Sequence, residues 1–174
     1  MHALVIYESM FGNTHLVADH IADGWRQHGD ATVVPVGDAT PELLAAADLV
    51  VVGGPTHVHG LSRDTTRRDA VQQSEDPDKD LHLDPDAEGE GLREWFEALG
   101  PVDHLRAAAF DTRVDMAALV TGRASKGIAK RLRHHGFDLV ADPESFLVDK
   151  DTHLVTGEED RARAWGSSLA AGTS

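Results

Sequence analysis

A run of small, uncharged residues follows the first apolar segment of the chain, directly before a helical pattern. It consists of Ser9, Met10, Phe11, Gly12, Asn13 and Thr14. A loop that joins the carboxyl end of a strand to a helix presents unpaired backbone N–H groups, and the helix dipole adds about half a positive charge there. Gly12 allows the backbone to bend closely around a ligand. The sequence therefore predicts a site for one terminal phosphate group that uses neither Lys nor Arg.

Other phosphate-binding motifs and other chemistries fit this segment poorly. A P-loop requires a Gly-Lys-Ser/Thr ending and a dinucleotide-binding turn requires three spaced glycines, whereas only Gly12 is present. Glu8 stands alone where a phosphorylation-receiver domain has a pair of acids. Ser9 lacks the Gly-x-Ser-x-Gly elbow of a hydrolase, and no side chain is predicted as an acid–base catalyst. An ordinary strand-to-helix turn with a capped helix remains the alternative.

The elements that position this segment alternate between apolar strands and helices. Strands are predicted at 3–7, 31–36, 48–53 and 106–110, and a fifth strand at 138–148 is broken at Asp142-Pro143. Helices are predicted at 16–25, 92–99, 125–135 and 158–171, and a short helix begins at residue 40. Three strands and two helices within about 50 residues predict βαβ units and a parallel sheet. Pro35 cannot donate to a ladder, so its strand is expected at the edge. Residues 1–174 are predicted to form one α/β domain.

The composition excludes several functional classes. With 16 basic and 30 acidic residues the net charge is −14, which argues against a nucleic-acid partner. The absence of cysteine excludes disulfides, thiolate metal sites and Fe–S clusters, and the 11 histidines show no metal-ligand spacing, so no metal is predicted. No apolar run approaches the ~20 residues that span a bilayer, and the first residues lack a signal-peptide pattern. We expect a cytoplasmic protein without a membrane partner.

Charge is distributed unevenly along the chain. Residues 64–90 contain ten acidic and three basic residues, a net charge of −7, without a sustained apolar period. This acidic segment is predicted to be a solvated, mobile loop, with a lid or a docking surface as the alternative. The predicted helix near 123–135 is basic and carries Arg123, Lys126, Lys130, Arg131 and Arg133. Its cations are expected to be solvated; alternatively, they dock the acidic segment or form a contact in a homodimer.

The polar segment after the first strand resembles the phosphate-binding loop of the flavodoxin family. The family pattern is a hydroxyl residue, two variable positions and then Gly-x-Thr, which correspond here to Ser9, Gly12 and Thr14. The resemblance covers the chain apart from the acidic segment. It implies FMN as the cofactor, with its phosphate in this loop. It also implies a three-layer α/β sandwich, with helices on both faces of a five-stranded parallel sheet of order 2-1-3-4-5 and the flavin beyond strands 1 and 3.

The resemblance also assigns two further loops to the flavin. The loop after strand 3 would contact the ring through Pro55, Thr56, His57, Val58, His59 and Gly60. It is similar to the Gly-x-Pro-Thr loop of the quinone-reductase-like branch. Small carrier flavodoxins often stack a large aromatic residue on the ring, and this loop has none. Here His57 or His59 would stack on the ring or form a hydrogen bond with it. The loop after strand 4 would contact the pyrimidine edge through Asp111, Thr112 and Arg113. The alternative for Arg113 is an ion pair with Asp111 or Asp115.

Three functions are compatible with these residues. The first is an FMN-binding electron-transfer protein that serves a redox partner protein. The second is an FMN-dependent oxidoreductase that passes hydride from NAD(P)H to a small acceptor such as a quinone, because a guanidinium near the ring would stabilise its reduced form. The third is a module that keeps the fold but has lost tight flavin binding. The small size and acidic surface favour electron transfer.

Overall fold

The computed structural model describes residues 1–57 and 60–172 and consists of alternating strands and helices. The strands are β1 (His2–Tyr7), β2 (Asp30–Pro35), β3 (Leu49–Pro55), β4 (Arg106–Val114), β5 (Asp138–Leu139) and β6 (Glu144–Val148). The helices are α1 (Asn13–Trp25), α2 (Pro41–Ala45), α3 (Asp64–Ser74), α4 (Leu92–Ala98), α5 (Ala118–Thr121), α6 (Ala124–His134) and α7 (Glu158–Ala171). None of these helices is long and apolar enough to cross a membrane.

The strands form one parallel sheet with the order β2-β1-β3-β4-β5, which confirms the predicted fold. β6 pairs with β4 beyond β5: Arg106 is opposite Asp138 and Phe110 is opposite Glu144. The fifth position of the sheet is therefore one broken strand, as predicted. β2 lies at the edge, where the missing N–H of Pro35 costs no ladder hydrogen bond.

Two apolar layers cover the two faces of the sheet. Val5 and Phe110 pack with α1 and α7 on one face, while Ile6 packs with α2, α4 and α6 on the other. Because both faces are covered, the central strands are apolar at nearly every position rather than at alternate positions. α1 and α7 approach closely at glycines: a Cβ on Gly24 would lie 1.9 Å from the carbonyl oxygen of Arg163. This packing fixes the position of the helix whose N-terminus faces the predicted phosphate site.

The acidic segment is more ordered than its composition suggests. The prediction of a loop throughout is wrong for residues 64–74, which form α3. The helix lacks an apolar stripe, and tertiary and local contacts hold it instead. Ala70 is buried, the backbone N–H of Arg63 donates to the Thr66 hydroxyl (2.8 Å), and the Arg67 guanidinium donates to Glu94 (3.1 Å).

Strand β4 extends further than predicted. The sequence indicated an end at residue 110, but pairing with β6 continues the ladder to Val114, opposite Val148. Asp111, Thr112 and Arg113 therefore lie in the strand itself and not in a loop after it. In a strand successive side chains point to opposite faces, so these three residues cannot all face one ligand.

Candidate functional site

A cleft of about 270 Å³ opens at the carboxyl ends of β1, β3, β4 and β6. The structure brings residues of all three predicted segments to this cleft. Those that line it are Ser9, Met10, Phe11, Asn13, Thr14, Pro55, Thr56, His57, Thr112 and Arg113. Gly12 forms the backbone turn beside it. Asp111 and Gly60 are not among the lining residues, and Val58 and His59 lie outside the described residues.

The turn from β1 into α1 gathers backbone donors at one side of the cleft. Gly12 is the N-cap of α1 with φ 88° and ψ −15°, a left-handed conformation that glycine adopts without strain. Its N–H donates to the Ser9 hydroxyl (3.1 Å). In the described part of the chain, the N–H groups of Met10, Phe11, Asn13 and Thr14 have no acceptor. Four free N–H groups at the positive end of a 13-residue helix fit a phosphate group.

Hydroxyl groups join the turn at residues 9–14, called the corner below, to the centre of the sheet. The hydroxyl groups of Thr14 and Thr112 are 2.7 Å apart, and both side chains are buried. The carbonyl oxygen of Thr112 accepts a hydrogen bond from the N–H of Thr56 (2.8 Å). One hydroxyl of the threonine pair donates to the other, so the accepting threonine keeps its own O–H for a ligand. The corner and the β3 loop are therefore held in fixed relative positions.

His57 contributes an unpaired ring nitrogen to the cleft wall. Its backbone N–H and carbonyl both bond to Gly60 (2.8 and 2.9 Å). Burial lowers the pKa of His57, and the nearby charge of Glu8 only partly opposes this shift. The imidazole is therefore neutral at pH 7. Its Nε2 atom is buried and lacks a hydrogen-bond partner among the described residues.

Arg113 and Asp111 make separate contacts: they neither form an ion pair nor line the cleft together. Arg113 donates to the carbonyl oxygens of Met116 (2.6 Å) and Val114 (3.4 Å), rather than to a carboxylate, and it lines the cleft. Asp111 is fully buried and accepts a hydrogen bond from the N–H of Ser125 (2.7 Å) in the first turn of α6. Burial raises the pKa of Asp111, although this hydrogen bond opposes the shift. Asp111 positions α6 and does not face the cleft.

Two further segments line the cleft that the sequence interpretation missed. The first is α3, with Thr66, Ala70 and Gln73, and the second is the end of β6 and the loop after it, with Val148, Asp149, Lys150 and Thr152. The side-chain amide of Asn13 donates to the carbonyl oxygen of Thr152 (2.7 Å), which joins the second segment to the corner. Ligands of open α/β sheets bind outside the carboxyl ends of the strands, and this rule applied to β6 would have identified the second segment. The polar composition of α3 gave no comparable indication.

The acidic segment contacts the back of the corner through Asp84. Its N–H donates to the carbonyl oxygen of Met10 (2.8 Å), and its carboxylate lies 3.1 Å from Nδ1 of His15. The His15 ring stacks on Tyr7 with centroids 4.2 Å apart. The Tyr7 hydroxyl donates to Asp86 (3.1 Å); burial, followed by this hydrogen bond, raises the pKa of Tyr7. The prediction of a solvated segment is therefore also wrong for Asp84 and Ala87, which are buried.

The described residues contain no group of three or more His, Cys, Asp or Glu residues that could hold a metal ion. The ion pairs of α3 are Asp64 with Arg68 and Arg67 with Glu94, and none of the ion pairs in the described part of the chain joins the acidic segment to α6. The suggested docking of the acidic segment on α6 is not seen.

Comparison with known proteins supports the predicted resemblance. The family model described as flavodoxin matches residues 5–110, which is more than half of the chain. No curated protein matches the sequence significantly.

Among solved structures, the fold is similar to a flavodoxin from the domain Archaea, with 20% identity, TM-score 0.68 and 99% of both chains covered. It is also similar to Flavodoxin 1 from Bacillus cereus, with 20% identity, TM-score 0.66 and 98% of both chains covered. A flavodoxin, WrbA-like protein from Agrobacterium tumefaciens has 17% identity and TM-score 0.62, over 99% of this chain and 96% of that chain. At these identities the likeness concerns the fold.

Proposed function

The chain belongs to the flavodoxin family, whose cofactor is FMN, and we propose that it carries electrons on an FMN held in the cleft. The observation that carries this proposal is the set of free N–H groups of Met10, Phe11, Asn13 and Thr14 beside that cleft. They provide uncharged donors at a helix N-terminus, which is the environment that suits a terminal phosphate. FMN ends in a phosphate monoester, so its charge and shape match the corner.

Further residues would orient the flavin ring. Pro55, Thr56 and His57 line the cleft at the end of β3, and Thr112 and Arg113 line it from β4. The free Nε2 of the neutral His57 would exchange a hydrogen bond with a polar atom of the ring, which would relieve its buried, unpaired state. The guanidinium of Arg113 would favour negative charge on the ring when it is reduced. Lys150 would add a second positive charge near the cleft mouth.

The isoalloxazine supplies the redox chemistry, because it accepts and releases electrons, and the chain supplies placement and tuning. A redox partner protein would reach the cofactor at the open edge of the sheet. A hydride donor, NAD(P)H, with a small acceptor such as a quinone is the second candidate. The observation that favours it is Arg113, because a cation at the cleft stabilises a reduced anionic ring, which assists hydride uptake.

A flavin titration followed by a kinetic assay tests these functions. Purified protein, freed of bound flavin, is titrated with FMN while the visible spectrum is recorded. We expect saturable binding with a perturbed flavin spectrum; absence of binding at micromolar FMN would contradict the proposal and favour a module without flavin function. NAD(P)H oxidation is then measured with and without a quinone. Turnover without an added reductase would select the oxidoreductase over the carrier.

A further inference from the structure

A group of basic side chains forms one face of the molecule beside the cleft. This basic face consists of Arg63, Arg93, Lys126, Lys130, Arg131 and Arg133. Arg93 and Arg131 are half-buried, and the other four side chains are exposed. The face combines the start of α3, the first turn of α4 and one side of α6. It is unusual in a chain whose net charge is −14.

Among the described residues, no cation of the basic face forms an intramolecular ion pair. In the described part of the chain, no ion pair or side-chain hydrogen bond involves the side chains of Arg63, Lys126, Lys130, Arg131 and Arg133. Arg93 donates to two backbone carbonyls, those of Ser62 and Leu61. Other arginines do form ion pairs, for example Arg26 with Asp23 and Arg161 with Glu158. Glu94 and Glu8 lie near Arg93, but their charges do not offset its burial and the charges of Arg131 and Arg63.

Local helix physics does not favour these cations either. Lys126 is the third residue of α6, where the positive end of the helix dipole disfavours a cation. Lys126 and Lys130 are four residues apart, a like-charge spacing that destabilises a helix. Burial, followed by the neighbouring charges of Arg131 and Arg63, lowers the pKa of Arg93. Of the cations on α6, only Arg131 and Arg133 in the last turn complement the dipole, so an anion from outside the chain would relieve the unfavourable charges of the others.

The basic face is connected to the cleft wall at two points. The N–H of Ala124, the first residue of α6, donates to the hydroxyl of Thr56 (2.9 Å). Arg93 donates to the carbonyls of Leu61 (3.1 Å) and Ser62 (2.7 Å), which follow the predicted ring contacts at residues 55–60. A molecule bound to the face would therefore lie on elements that also hold the cleft wall. The exposed cations lie on the outer surfaces of helices and do not line the cleft. They are therefore suited to contact a macromolecule rather than a small ligand.

We propose that the basic face docks an acidic protein surface, and that this acidic protein exchanges electrons with the cleft. The second half of this statement rests on the proposed function; the docking itself does not. Unpaired cations outside a cleft attract a surface that presents several carboxylates, and they orient it during diffusional encounter. A second copy of this chain also offers carboxylates, in its acidic segment, and self-association is therefore one of the outcomes that the test below distinguishes.

A binding experiment on the flavin-free protein tests the docking. The probe is a fluorescein-labelled peptide of eight glutamates, measured by anisotropy in 20 mM NaCl. The test variant is Lys126→Gln/Lys130→Gln/Arg131→Gln, and the matched control is Arg26→Gln/Arg68→Gln/Lys79→Gln, which removes the same charge from other surfaces. We expect the test variant to bind at least tenfold more weakly than the wild type, the control to change by less than threefold, and 0.3 M NaCl to abolish binding.

Four results would overturn the proposal. They are the absence of peptide binding by the wild type, equal weakening in both triple variants, tighter binding of a thymidine octanucleotide than of the peptide, and salt-sensitive self-association that the test variant loses. The third result would indicate a nucleic acid, and the fourth a second copy. Circular dichroism of each variant verifies its fold. Because FMN is absent, failure of this test leaves the flavin assignment untouched, and failure of the FMN titration leaves the docking result untouched.

Discussion

The corner between β1 and α1 and the acidic segment behind it are in direct contact but obtain their polarity in different ways. The corner has no charged side chain between Ser9 and Thr14, and its donors are backbone N–H groups. The acidic segment has a net charge of −7, and it touches the corner through Asp84. An anionic ligand in the corner would therefore be attracted by the backbone N–H groups and repelled by the carboxylates of the acidic segment. On the proposed assignment, the affinity for FMN depends on the balance of these two effects.

Gly12→Asp is expected to give the largest effect, because it adds a second carboxylate close to Asp84 at the turn that carries the free N–H groups. The variant should bind FMN at least 100-fold more weakly, as measured by titration, since a negative charge then adjoins the phosphate. Gly157→Asp is the matched control: Gly157 is also a left-handed N-cap (φ 92°, ψ −13°), with open space around its Cβ position, and it begins α7 away from the corner. If both variants lose affinity equally, backbone strain and not charge explains the loss.

Thr14→Val tests whether the hydroxyl pair fixes the corner. Valine keeps the shape but leaves the buried hydroxyl of Thr112 without its partner at 2.7 Å. We expect a loss of about 1–3 kcal/mol in the free energy of unfolding, measured by urea denaturation. Thr14→Ser retains the hydroxyl and should lose clearly less. Equal losses in the two variants would show that the methyl packing, and not the hydrogen bond, stabilises the corner.

Asp84→Asn removes the negative charge of the acidic segment that lies close to Gly12. The amide can keep a hydrogen bond to His15 while the charge near Gly12 disappears, so FMN should bind several-fold more tightly, by roughly 0.5–1 kcal/mol. Asp80→Asn removes a charge from the same segment at a side chain that is 91% exposed, and it should change the affinity less. An unchanged or weaker affinity in Asp84→Asn would mean that Asp84 supports the corner more than it repels the ligand.

The smallest expected effect is a pH dependence at the cleft wall. Burial lowers the pKa of His57 in the folded chain, so below about pH 6.5 the unfolded chain binds a proton that the folded chain does not. Stability is therefore lost as the pH falls from neutrality through this range. In His57→Gln, the decrease in unfolding free energy between pH 7.5 and 5.5 should be smaller than in the wild type. His82→Gln, at an exposed position, is the control.

The contrast between the two regions also explains what the sequence could predict. The corner is specified locally, because a buried strand, a glycine and a helix start determine where the N–H groups point. The acidic segment is specified by distant partners: α3 depends on Arg67 reaching Glu94, and Asp84 depends on Met10 and His15. No periodicity within the segment encodes these contacts, so a polar loop was the natural interpretation.

The ends of β4 and β6 show the same limit. The residue types at 111–113 indicated a polar loop, whereas pairing with β6 extends the strand and turns Asp111 away from the cleft. The position of Lys150 follows from sheet order, which the sequence did predict, together with the rule that ligands bind at the carboxyl ends of parallel strands. The basic face, by contrast, was recognised only on α6, because Arg63 and Arg93 join it through tertiary structure.

The most direct test of the corner is a comparison of FMN with riboflavin, which has the same ring but no phosphate. Both ligands are titrated into the wild-type protein at pH 7.5, and their dissociation constants are measured by flavin fluorescence. If the free N–H groups of the corner hold the phosphate, FMN should bind at least 100-fold more tightly, a difference of about 2.7 kcal/mol. Equal affinities for the two ligands would contradict the assignment of the corner as the phosphate site.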